Sequence, residues 1–211
     1  MAVKKGRGQE KRRNTASRKP KRIVLIAAEG ANKTETNYFK GIHSDAFRFL
    51  FTPGNETDPV KMMKRLLKEY EELGLEEDDL AFCLVDGDVN PAKDSQIAAA
   101  DRLANGTYAK QIVSNPCFEV WFLDHYHYTT RQFRSSADVV AELSTVCPGY
   151  AKGRQDMYEL TKDALQTAVK NAKKQEQHCL DAGNKPHTSA FQPSTEVYRI
   201  MEAIQEIEAS K

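Results

Sequence analysis

The chain alternates short, continuously apolar runs with longer stretches in which hydrophobic residues recur every three or four positions. The run Ile23-Val24-Leu25-Ile26-Ala27-Ala28 is apolar throughout and rich in β-branched residues. That is how a strand buried on both faces reads, and such strands belong to parallel sheets. It stops at Glu29-Gly30. A helix is expected from about Thr34 to Ile42, with Thr34 as its N-cap. A second strand is expected at Phe47 to Phe51, ended by Pro53-Gly54. Thr57 or Asp58 then caps a helix with Pro59 in its first turn and Val60, Met63, Leu66, Leu67 and Tyr70 at helical spacing. Gly74 ends it. A third apolar strand spans Leu80 to Val85 and runs into Asp86-Gly87-Asp88. A helix near Ser95 to Ala104 and a fourth strand at Thr107 to Val113 complete a strand–helix alternation. This pattern predicts an α/β fold with an open, mainly parallel four-stranded sheet flanked by helices.

After Ser114-Asn115-Pro116 the pattern becomes purely helical. An aromatic-rich helix is expected at Pro116 to His127. Another, capped by Ser135 or Ser136, ends near Cys147. A long amphipathic helix is expected from Asp156 to about Leu180, and a terminal one starts at Pro193-Ser194-Thr195. The reading divides the chain into an N-terminal arm (1–20), an α/β core (21–127) and a C-terminal all-helical lobe (128–211) packed on the core.

Charge changes this picture at one end. Residues 1–22 hold ten Lys or Arg and one Glu, a local +9 in a chain of 211 residues whose net charge is +1, so the remainder carries −8. The arm is poor in apolar residues and is expected to be disordered when free. It reads either as a phosphate-binding arm, with Arg12 and Arg13 at its centre, or as a solvated tail that docks on an acidic partner. No apolar run approaches the roughly 20 residues of a membrane helix, and the mostly charged first 22 residues do not read as an apolar signal-peptide core. The four cysteines form no C-x-x-C pair, so a reducing cytoplasm is the expected location.

Candidate chemistry lies at the strand ends, where open α/β sheets bind ligands. Two apolar strands end in acids, the first in Glu29 and the third in Asp86 and Asp88. Extended backbone alternates its side chains, so Asp86 and Asp88 are expected to point the same way across Gly87. If the two strands are neighbours, three carboxylates converge. Their mutual repulsion is relieved by a divalent cation, and an all-oxygen set favours magnesium, or manganese, over zinc. Metal-dependent phosphodiester cleavage is the reaction that follows. Glu35 reads either as a further metal carboxylate or as an acid favouring the helix dipole. Lys33 reads as a phosphate contact or a solvated loop charge, and Asn115 as a loop-orienting residue, a substrate contact or a turn residue before proline. Phe118, Trp121 and Phe122 are expected in the core. His125 and His127, two apart on a helix, point in different directions and are not expected to share a site.

Glu29-Gly30 and Asp86-Gly87-Asp88, each after a buried strand, resemble the Toprim pattern of topoisomerases, primases and several nucleases. The wider phrase Ala28-Glu29-Gly30…Lys33-Thr34-Glu35-Thr36-Asn37-Tyr38-Phe39, with Ser114 to Trp121 and Pro193-Ser194-Thr195, resembles the RloB family. These are Toprim-like proteins linked to bacterial phage defence and often encoded beside an ATPase. The resemblance covers roughly Lys21 to Ile207. This chain departs from it in a longer loop at Ala31-Asn32 and in Gln192 before Pro193. The resemblance implies a Toprim-like core, makes Glu119 a further candidate site acid, and implies DNA or RNA as substrate and an ATPase of AAA or ABC type as partner. Two functions are therefore expected to compete: a magnesium-dependent nuclease, and a metal- or nucleotide-binding sensor module that serves such an ATPase without catalysis.

Overall fold

The computed structural model describes residues 21–30 and 33–210. The basic arm with Arg12 and Arg13, and the added loop residues Ala31 and Asn32, lie outside the described residues. The chain runs β1 (Arg22–Ala27), α1 (Thr34–Lys40), β2 (Phe47–Phe51), α2 (Pro59–Glu72), β3 (Leu80–Asp86), α3 (Pro91–Ala104), β4 (Ala109–Asn115), α4 (Glu119–Asp124), α5 (Ser136–Val146), α6 (Met157–Thr161), α7 (Leu165–Asp181), β5 (Ser194–Thr195) and α8 (Val197–Ala209).

The sheet has five strands in the order β2-β1-β3-β4-β5, of which the first four are parallel and β5 is antiparallel to β4. β5 replaces the start expected for the terminal helix. Two polar residues carry no hydrophobic period, so nothing in the pattern marks them as a strand. They pair only because Thr195 meets Ser114 across the ladder, where their hydroxyls lie 2.8 Å apart.

The central strands β1 and β3 are buried on both faces, as their unbroken apolar runs require. Val24, Ile26, Phe82, Leu84 and Ile112 face one way and pack with Tyr38 and Phe39 of α1, Trp121 and Phe122 of α4, and Ile200, Met201 and Ile204 of α8. Leu25, Ala27, Ala81, Cys83, Val85 and Val113 face the other way, against Met62, Met63, Leu66 and Tyr70 of α2 and Ile97 and Ala100 of α3. The one-residue alternation between these sets is the pleat itself. Phe118, Trp121 and Phe122 are all core residues.

Local signals hold where they are strong. Asp58 caps α2 by accepting from Lys61 N–H at 2.9 Å, with Pro59 next to it. Ser135 likewise caps α5 through Asp138 N–H. Three expectations change. Thr34 is not a cap: Lys33 holds that position with φ 57° and no side-chain cap bond, while the Thr34 hydroxyl accepts from Gly153 N–H at 3.0 Å. α3 begins at Pro91, four residues before Ser95, because Asn90 caps it through Ala92 N–H at 3.0 Å. The long helix breaks at a 3-10 turn over Lys162–Ala164. Its expected stripe is not one face: Leu160 is 50% exposed, while Thr161 is buried and donates to the Met157 carbonyl.

Candidate functional site

β1 and β3 are adjacent and parallel, with Ala27 opposite Cys83. After β1 the chain moves outward to β2, and after β3 it moves the opposite way to β4. α1 covers one face of the sheet and α3 the other. The connections therefore part between the carboxyl ends of these two strands, leaving the crevice in which doubly wound sheets bind ligands. Glu29 and Asp86 flank it. Glu29 Oε2 accepts from Asp86 N–H at 3.1 Å, tying the two strand ends together.

A pocket of about 170 Å³ opens there, lined by Glu29, Glu35, Asp86 and Glu119, with Lys152 at its side and Thr34 and Thr57 in its wall. The four acids come from four segments: the β1 exit, the first turn of α1, the end of β3 and the first turn of α4. Asp86 Oδ1 accepts from Phe118 N–H at 2.9 Å, which fixes where α4 begins relative to β3. Glu119 is 2% exposed; its Oε1 accepts from the Tyr150 hydroxyl at 2.9 Å and lies 3.6 Å from Lys152 Nζ.

Burial and mutual repulsion act together on these carboxyls. Burial, then the charges of Glu119 and Glu29, push Glu35 up to about 7. Burial, followed by the charges of Glu35, Glu29, Glu119 and Asp88, raises Asp86 well above the usual carboxylate range. Burial also raises Glu29, although Lys93 works against it. Burial opposes the charge on Lys152, but Glu119, Cys117 and Asp86 together outweigh it and raise the ammonium's pKa above its ordinary value.

Asp88 does not follow the expected alternation. The strand ends at Asp86, and Asp88 and Val89 take left-handed backbone with φ 56° and 51°. Asp88 is exposed and is not among the residues that line the pocket; its carboxylate accepts from Lys93 Nζ at 2.9 Å. Lys93 also donates to both Glu29 oxygens, at 2.9 and 3.0 Å, from a buried position on the first turn of α3. Burial disfavours its charge, but Asp88 and Glu29 more than compensate and raise its pKa. Sequence reasoning missed Lys93. Its signal was available: a lysine in a helix's first turn opposes the dipole and needs an acidic partner.

Asn115 faces inward, 2% exposed. Its Nδ2 donates to the carbonyls of Thr188, Ser189 and Phe191, and its Oδ1 accepts from Val89 N–H at 3.3 Å. It braces the Asp86–Val89 turn against the 188–191 loop, the loop-orienting arrangement among those expected of it. Gly87 is required beside it, because a Cβ there would come within 2.7 Å of Asn115 Oδ1. Lys33 is exposed and outside the pocket lining. His125 is buried, with Nδ1 on the Trp121 carbonyl at 2.8 Å, and burial lowers its pKa to about 4. His127 instead meets Glu142 at 3.0 Å. The two histidines share no site.

An all-oxygen set suits a hard divalent cation, and four carboxylates around one pocket leave negative charge to be neutralised. As they stand, no three His, Cys, Asp or Glu side chains among the described residues are spaced as metal ligands. The set matches such a cation in chemistry, with Glu29 committed to Lys93.

The family model described as RloB-like protein matches residues 24–204, which includes all four acids and Lys93. The chain belongs to the RloB-like family. No curated protein and no solved structure matches it. Within this RloB-like chain the matched span runs from β1 into α8, so the strand-end acids and the helices that cover them fall inside the family's shared region. Among the described residues, no helix is long and apolar enough to cross a membrane.

Proposed function

We propose that this RloB-like protein is a magnesium-dependent phosphodiesterase that cuts DNA or RNA, on a Toprim-like core, in defence against phage. The observation that carries the reading is the gathering of Glu29, Glu35, Asp86 and Glu119 around one pocket at the parting of the sheet's connections. Four acids from separate segments are costly to bury together for packing alone. A site that exists to hold a cation accounts for that cost.

Glu29, Asp86 and Glu119 are the residues that would hold magnesium, or manganese in its place. When bound, the ion supplies charge neutralisation at a phosphoryl oxygen and at the leaving oxygen. The chain's own groups do the rest. Glu35, with a pKa of about 7, is suited to take a proton from an attacking water at its carboxylate. Lys152, exposed at the pocket side and 3.6 Å from Glu119, is placed to meet a phosphate oxygen. Lys93 holds Glu29 in place through both carboxylate oxygens. Its bond to Asp88 supports a role for Asp88 in positioning Lys93.

One observation favours a second reading. The acids are not spaced as metal ligands as they stand, and Lys93 already pairs with both Glu29 and Asp88. A sensor module that binds metal or nucleotide for a defence ATPase fits this without catalysis. The deciding experiment incubates the protein with single- and double-stranded DNA, RNA and tRNA, with magnesium or manganese and with EDTA. Cleavage that EDTA abolishes supports the enzyme. Binding without cleavage, with the neighbouring ATPase present, supports the module.

A further inference from the structure

A second cleft, of about 630 Å³, lies over the edge strand β2 beside the C-terminus of α1. Phe47, Phe49 and Phe51, alternate residues of one strand, line it. Phe47 is buried, whereas Phe49 and Phe51 keep part of their rings at the surface. Neighbouring ring centroids are 5.3 and 6.4 Å apart, and the Phe49 and Phe51 rings are nearly parallel at 27°. The rim is basic, with Lys21, Lys40, His43 and Arg48. Lys40 Nζ stands 5.5 Å over the Phe51 ring. Asp45 is the one acid among the lining residues, and Lys21 meets it at 3.6 Å. Arg48 is exposed and carries no ion pair among the described residues.

Two further relations give this cleft a direction. The chain enters it at Lys21, directly after a segment (1–20) holding eight Lys or Arg and one Glu. At its other end, Phe51 pairs with Ile26, three residues before Glu29, and Thr52 N–H donates to the Ile26 carbonyl at 2.9 Å. The cleft thus climbs β2 toward the rim that holds the acidic pocket. Aromatic rings in a row with cations around them form the surface that binds single strands: bases stack on the rings and phosphates meet the cations. A duplex keeps its base faces covered and cannot use the rings.

We propose that this cleft binds single-stranded nucleic acid and leads it along β2 to the acidic pocket. The proposal rests on the phosphodiesterase reading and names the form of its substrate. It is tested on the full chain in EDTA, so that binding is read without cleavage. Fluorescence anisotropy measures affinity for a labelled single-stranded DNA, the same RNA sequence, and the matching duplex. Lys40→Glu/Arg48→Glu, whose sites are on the surface, is expected to weaken single-strand binding about tenfold or more and to flatten the salt dependence by about one unit of slope per lost phosphate contact. Phe51→Ala, with its fold checked by circular dichroism, is expected to weaken it roughly fivefold or more with the salt slope unchanged. The basic segment is present in every variant, so the change reads the cleft. The DNA and RNA arms show which strand is preferred.

Unchanged single-strand affinity in the charge-reversed protein would overturn the proposal. So would equal binding of the duplex, or competition by polyglutamate as effective as that by an oligonucleotide of equal charge, which would mark the cleft as a site for an acidic protein. The outcomes stay separate from the catalytic reading. Wild-type cleavage with no effect of charge reversal sinks the cleft alone, and cleft-dependent binding without any cleavage sinks the catalysis alone.

Discussion

Lys93 reaches from the first turn of α3 to both carboxylate oxygens of Glu29, at 2.9 and 3.0 Å, and holds Asp88 with the same ammonium. The Glu29 and Lys93 side chains are 13% and 8% exposed. Removing one partner of such a pair leaves the other charge buried and uncompensated. Lys93→Met is therefore expected to destabilise the protein by roughly 3 kcal/mol in EDTA. Magnesium should restore much of that loss, because a cation replaces the missing ammonium beside Glu29. Urea unfolding in EDTA and in magnesium checks both halves, and an unaffected Lys93→Met protein would contradict the role given to this lysine.

The acids around the pocket set a pH dependence with a definite sign. Glu35 is pushed up to about 7 in the folded chain against 4.5 for a free carboxyl, and Asp86 and Glu29 are displaced in the same direction. A carboxyl whose folded pKa is raised stabilises the fold fully below its unfolded value and loses that contribution as pH rises through the folded one. Without divalent cation, stability should fall between about pH 4.5 and 7. Manganese should then raise the melting temperature markedly at pH 8 and little at pH 5. Asp86→Asn should flatten the pH profile and remove most of the manganese effect. Equal manganese shifts at both pH values would argue against a carboxylate cation site.

Gly87 and Asn115 make a purely steric prediction. A methyl group at Gly87 would fall 2.7 Å from Asn115 Oδ1 and 2.8 Å from its Cγ. Asn115 cannot yield easily, because three carbonyls hold its amide. Gly87→Ala is expected to cost about 1–3 kcal/mol, the usual range for forcing extra volume into packed structure. Because Asn115 also anchors Val89, the substitution should move Asp88 away from Lys93 and weaken cation binding together with stability. Calorimetric titration with manganese reads the second effect, and intact affinity would show that the turn does not position the site.

Much of the fold was legible because its signals were local and strong. The apolar runs of β1 and β3 mark both-faces burial, and their end acids lie where ligands bind in such sheets. Asp58-Pro59 and Ser135 announce their helices by cap chemistry. What stayed hidden depends on distant partners. Ser194-Thr195 becomes a strand only through Ser114 and Asn115, some eighty residues earlier. Lys93 gains meaning only once the start of α3 comes beside the β1 exit, and Asn115 only once the 188–191 loop closes on it. Asp88 does not join Asp86 because strand alternation does not extend two residues past the end of β3: positive φ at Asp88 departs from the pleat that would have turned it beside Asp86. Glu35 and Glu119, which line one pocket with Glu29 and Asp86, stood out only as members of the motifs, since two acids on separate short helices carry no pattern of their own.

The central claim is that Asp86 and its neighbours hold a cation that cuts a phosphodiester. The most direct measurement is the cleavage rate of a single-stranded oligonucleotide in magnesium by wild-type protein and by Asp86→Asn, a change that keeps the side chain's shape and is expected to leave the fold intact. The account predicts EDTA-sensitive cleavage by the wild type and a loss of at least about 100-fold in Asp86→Asn, the scale of removing a principal electrostatic group from an active site. Magnesium-dependent cleavage at the wild-type rate by a folded Asp86→Asn protein would contradict it.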